Sequence, residues 1–90
     1  MNLTEEQLKA IETMASLFFS ASDIAINIEV DADEFIELIV TKQGEAYNAY
    51  FKGWTITEFE LRKSILSSAL NGSSPAQQLM KEYQNKARNE

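Results

Sequence analysis

Residues 18–40, FFSASDIAINIEVDADEFIELIV, carry two helix-start signals nine residues apart, and that spacing narrows the folds open to the chain. Ser22 is placed to cap a short helix reaching Ile28, because a serine oxygen accepts an amide proton that a helix start leaves without a partner. Asp31 is a second cap, and Glu34 three residues later makes the pair a capping-box pattern. Phe35, Leu38 and Ile39 then follow at helical spacing. Strand alternation competes over part of the run, since Ile24, Ile26, Ile28 and Val30 alternate with Ala25, Asn27 and Glu29. Two successive caps behind a long first helix fit a three-helix unit better than a sheet.

That first helix announces itself at Thr4-Glu5-Glu6-Gln7, a capping box whose glutamates also suit the positive end of the helix dipole. Leu8, Ile11, Ala15 and Phe18 recur on one face, widened by Met14 and Leu17, which predicts a helix over 4–19. The buried frame of the following pair is expected from Ile24, Ala25, Ile28, Val30, Phe35 and Leu38.

Downstream of Gly44, Tyr47, Tyr50, Phe51 and Trp54 form an aromatic stripe at helical spacing, continued by Leu61 and Ile65. Ile56, Phe59, Leu66 and Leu70 add a second apolar flank. One face of an isolated helix does not bury this much, so it must pack on the N-terminal unit, on another subunit, or on both. Lys52-Gly53 offers a hairpin turn as an alternative, but a lone two-stranded hairpin is marginal. The pattern predicts one long or kinked helix over 45–70. Asn71-Gly72 closes it, and Ser74-Pro75 opens a last helix, with Ser as cap and Pro at the first helical position. Leu79, Met80 and Tyr83 give that helix a short apolar edge, ahead of a polar tail, 84–90, expected to fray. The fold class expected is all-α, with about five helices. Residues 1–43 make a helix-turn-helix-like unit and 44–90 a packing and oligomerisation segment, together one compact domain.

Charge and composition exclude whole classes of function. The chain has 90 residues, net charge −6, no Cys and no His. Disulfides, thiolate chemistry, the commonest zinc ligands and the usual neutral-pH proton shuttle are therefore out. With three glycines there is no phosphate-cradling loop, and no acid–base pair stands out. A non-enzyme without cofactor or metal is expected. Asp31, Asp33, Glu34 and Glu37 lie in and before a predicted helix rather than on an extended calcium loop, so they read as a solvated face. No signal-like or membrane-length apolar run is present, which points to a soluble intracellular protein.

The charge is also uneven. Up to Gln43, nine acids face only Lys9 and Lys42; from Gly44 on, five acids face Lys52, Arg62, Lys63, Lys81, Lys86 and Arg88. Phosphate attraction supplies most non-specific nucleic-acid affinity, so the acidic half would repel DNA.

The spacing Ile24-Ala25, two residues, Ile28-Glu29-Val30-Asp31, three residues, Phe35, two residues, Leu38 resembles the helix-turn-helix of many bacterial and phage DNA-binding domains. It departs at Glu29, where that pattern usually has Gly; a side chain in the left-handed region costs about 1 kcal/mol. AYNAYFKG followed by ELRKSILSSALNGSSPAQQLMKEY is similar to the central and C-terminal helices of small terminase subunits of tailed phages and prophages. This resemblance spans residues 4–87. It implies a non-enzymatic DNA-packaging component of a bacterial or phage-infected cytoplasm. Such a component forms ring-like homo-oligomers, recognises double-stranded DNA and hands it to the large terminase subunit.

The exposed positions of the second helix of the motif would be Ala32, Asp33, Glu34, Ile36 and Glu37. Base readers and phosphate anchors are typically Arg, Lys, Asn and Gln, whereas three of these five are carboxylates. That face suits a basic protein partner better than a DNA groove. Any DNA contact would fall to Lys52, Arg62, Lys63, Lys81, Lys86 and Arg88, repeated around an oligomer. Tyr47, Tyr50, Phe51 and Trp54 could stack on single-stranded bases, but helical spacing favours packing.

Overall fold

A computed structural model describes residues 1–90 and contains five α-helices and no strand. They are α1 (Glu5–Ser16), α2 (Ala21–Asn27), α3 (Ala32–Val40), α4 (Gly44–Leu70) and α5 (Ser74–Arg88). The all-α, five-helix architecture is the one the periodicity predicts.

Helix starts follow local chemistry. At α1 both halves of the capping box form: the Gln7 amide donates to Thr4 Oγ1 at 3.1 Å, and the Thr4 amide donates to Gln7 Oε1 at 2.9 Å. Asp31 Oδ1 accepts from the Glu34 amide at 2.8 Å and starts α3. Two caps sit beside the expected residue. Ser20, not Ser22, accepts from the Asp23 amide and starts α2; Ser73, not Ser74, accepts from Ala76 and starts α5, with Pro75 in its first turn. In each case two nearby serines offer the same side chain, and only the backbone selects one.

Helix ends share one device. After α1, α2, α3 and α4, a left-handed residue turns the chain: Phe18 (φ 61°), Glu29 (φ 61°), Lys42 (φ 58°) and Gly72 (φ 98°), with Gly44 (φ 73°) a second one where α3 gives way to α4. The next amide reaches back to a carbonyl five residues earlier, as from Phe19 to Met14, Val30 to Ala25, Gln43 to Leu38 and Ser73 to Ser68. This double-bonded ending satisfies carbonyls that a helix end otherwise leaves open. It also stops α1 at Ser16 rather than Phe19, and leaves Leu17, Phe18 and Phe19 exposed. At the C-terminus α5 continues to Arg88, further than the polar tail predicts.

Residue contacts divide the chain into two compact units, Met1–Thr57 and Glu58–Glu90, so the first half of α4 belongs with α1–α3 rather than with all of 44–90. In the first unit, Ile11, Ala15, Ile24, Ala25, Ile28, Phe35 and Ala46 are buried together. Val30, Leu38, Tyr50 and Trp54 pack against them. The helix-turn-helix frame read from spacing is thus this unit's core.

Gly53 is buried at the crossing of α1 and α4, and no hairpin forms there. A methyl group at Gly53 would meet the Glu12 carbonyl oxygen at 2.0 Å, so only glycine permits this approach. Next to it the Thr57 hydroxyl donates to the Ser16 carbonyl, and the Phe18 ring meets the Trp54 ring edge-on at 5.4 Å. In the second unit α5 returns along the end of α4. Ala69 and Ala76 are buried there, and Gln77 Nε2 donates to the Ala69 carbonyl at 3.0 Å.

Candidate interaction surfaces

The turn between α2 and α3 is built without glycine. Glu29 takes the left-handed conformation, and Gln7 braces it from α1: the amide group that closes the α1 capping box donates through Nε2 to the Ile28 carbonyl at 3.0 Å. One side chain thereby ties the start of α1 to the turn that aims α3.

On α3, Phe35 points into the core, while Asp33, Glu34 and Glu37 are exposed and Ala32 and Ile36 are half-buried. No Lys or Arg side chain pairs with Asp33, Glu34 or Glu37. The surface a helix-turn-helix would turn toward a groove is therefore anionic, its one internal cation being the Met1 α-ammonium, 3.8 Å from Glu34. No three carboxylates come close enough together to hold a metal ion.

The six basic residues singled out from sequence separate into two classes. Lys52 lies 3.9 Å from Glu12, Arg62 binds Glu58 at 3.0 Å, and Lys63 lies 3.8 Å from Glu60. Arg62 also sits 3.9 Å above the Tyr83 ring, and Lys63 lies 5.3 Å from that of Phe59. Lys81, Lys86 and Arg88 on α5 are exposed and have no carboxylate partner. Lys81 and Arg88, seven residues apart, share a face of α5; Lys86 lies on another.

The aromatic stripe also separates. Tyr50 and Trp54 cover the core of the first unit, Tyr47 is half-buried and stacks on exposed Phe51 at 5.6 Å, Leu61 is exposed, and Ile65 is half-buried. Packing thus absorbs Tyr50 and Trp54, the two rings nearest the core, and leaves Phe51 and Leu61 on the surface.

One open groove of about 380 Å³ lies between α1 and α4. Leu8 and Ala49 contribute its apolar lining, and Glu5, Glu12, Glu45, Lys9 and Lys52 bring charge of both signs. The sequence pattern singles out Glu5, Leu8, Lys9 and Lys52 separately but does not bring them together, because the groove's walls come from helices some forty residues apart. No helix is long and apolar enough to cross a membrane.

Compared with family models, curated proteins and solved structures, the chain shows no match.

Proposed function

We propose that this chain is a non-enzymatic recognition factor of the small-terminase type, acting on packaging DNA as a homo-oligomer in a bacterial or phage-infected cytoplasm. The order of elements supports it: a helix-turn-helix-like α1–α3 with its left-handed turn at Glu29, then 27-residue α4, stopped at Gly72, then α5 opening on Ser73. That is the order of motifs carrying the resemblance to small terminase subunits. In this reading α3 does not enter a groove. Its carboxylates meet a basic protein surface, the large terminase subunit being the candidate, and DNA phosphates fall to Lys81, Lys86 and Arg88.

A second reading is an acidic adaptor that uses the same fold to bind a basic protein without touching DNA. It is favoured by the exposed Asp33, Glu34 and Glu37, and by the internal carboxylates that already hold Lys52, Arg62 and Lys63. Light-scattering mass with and without duplex DNA, at low and moderate salt, separates the two. The packaging reading expects an oligomer that gains mass with DNA at low salt and loses it as salt rises. A stable oligomer that ignores DNA even at low salt supports the adaptor, and a strictly monomeric mass at micromolar concentration contradicts the packaging reading.

A further inference from the structure

We infer that α4 pairs with α4 of a second copy in an antiparallel arrangement, with Glu60 of each copy meeting Lys63 of the other. This pairing rests on the surface of α4 alone and does not depend on DNA binding.

Ile56, Phe59, Lys63, Leu66 and Leu70 follow one another on α4 at steps of three, four, three and four, the spacing of a coiled-coil seam. The row is uncovered: Ile56 is 50% exposed, Phe59 61%, Leu66 43% and Leu70 79%. Four large apolar side chains exposed in one row, interrupted only by Lys63, mark an interface rather than a solvent face. α5 does not cover it, because the contacts to α5 run through Arg62 and Ala69, on another side of α4.

Charge selects the occupant and its direction. A parallel copy in register would set Lys63 against Lys63 in the middle of the seam, which repels. In an antiparallel pair the seam layers join unlike positions, so Phe59 faces Lys63 of the second copy and Ile56 faces Leu66. Each Lys63 ammonium then lies at the height of Glu60 of the second copy and on the same side of the seam. Within one chain Lys63 already leans over the Phe59 ring and lies 3.8 Å from Glu60, so this side chain is at home against both groups. A shift of one heptad leaves both Glu60–Lys63 pairs unmatched. The surface is thus self-complementary about a twofold axis, as an isologous dimer requires.

Mixing two charge variants tests the pairing. The wild-type chain should sediment as a dimer at tens of micromolar. E60K and K63E should each shift to monomer, because each homodimer sets like charges against one another. An equimolar mixture of the two should return to dimer mass, since every intermolecular pair is then opposite in sign. Within each chain of the mixture residues 60 and 63 still carry like charges, so recovery reports the contact between copies. Circular dichroism checks that both variants keep the wild-type helix signal. A wild type that stays monomeric, or a mixture that stays monomeric, overturns the proposal.

Discussion

The backbone of α4 at Gly53 lies directly against the backbone of α1 at Glu12: a methyl group at Gly53 would stand 2.0 Å from the Glu12 carbonyl oxygen and 2.8 Å from its carbon. The neighbour is main chain, so nothing flexible can move aside. On an exposed helix surface, glycine to alanine stabilises by about 1 kcal/mol. Gly53→Ala should do the reverse and destabilise by about 3 kcal/mol, because the clash forces the two helices apart. Thermal unfolding followed by circular dichroism reads the sign. A melting temperature equal to or above wild type would mean that α1 and α4 do not make this contact.

The left-handed helix endings give a paired prediction. Glu29 bears a side chain at φ 61°, where glycine is unstrained, whereas Gly72 already stands at φ 98° with nothing within 4 Å of an added methyl group. Glu29→Gly should raise stability by about 0.5–1 kcal/mol, and Gly72→Ala should lower it by about 1 kcal/mol. Urea unfolding midpoints of the two variants should move in opposite directions. Movement in the same direction would contradict the turn geometry.

Gln7 has two tasks, and one substitution separates them. Gln7→Glu keeps an oxygen for the Thr4 amide and adds negative charge in the first turn, both favourable to α1. It removes the Nε2 donor and sets a carboxylate against the Ile28 carbonyl. If the brace to the turn matters, Gln7→Glu should cost about 1 kcal/mol despite the better helix start. Chemical denaturation that finds the variant as stable as wild type would reduce Gln7 to a capping residue.

Much of this fold is legible in residue types because helix starts are local. Thr4 and Asp31 cap where the pattern says, and the buried frame of Ile24, Ala25, Ile28 and Phe35 follows from spacing alone. Helix ends are harder. The apolar rhythm of α1 runs on through Phe18, and no glycine warns that this residue turns the chain. The division inside α4 is also hidden, since the two units share one unbroken helix.

The candidate surfaces were legible to different degrees for the same reason. The acidic face of α3 follows directly from helical spacing. Glu58–Arg62 and Glu60–Lys63 are intrahelical pairs that a spacing of four or three residues already offers. Lys52–Glu12 joins α4 to α1, as does the groove beside it, and neither has a signal in the linear chain. Once these pairs are taken out, the uncommitted cations of the second half are confined to α5.

Equilibrium binding of duplex DNA at low salt, compared between the wild-type chain and the variant Lys81→Ala/Lys86→Ala/Arg88→Ala, tests the packaging reading most directly. Each phosphate contact contributes about 0.9 to the slope of log affinity against log salt. If the α5 cations meet the backbone, wild-type binding should weaken steeply with salt, and the triple variant should lose at least tenfold in affinity and about 3 in slope. No binding at the lowest salt, or equal affinity and slope in the two proteins, would contradict the assignment of DNA contact to α5.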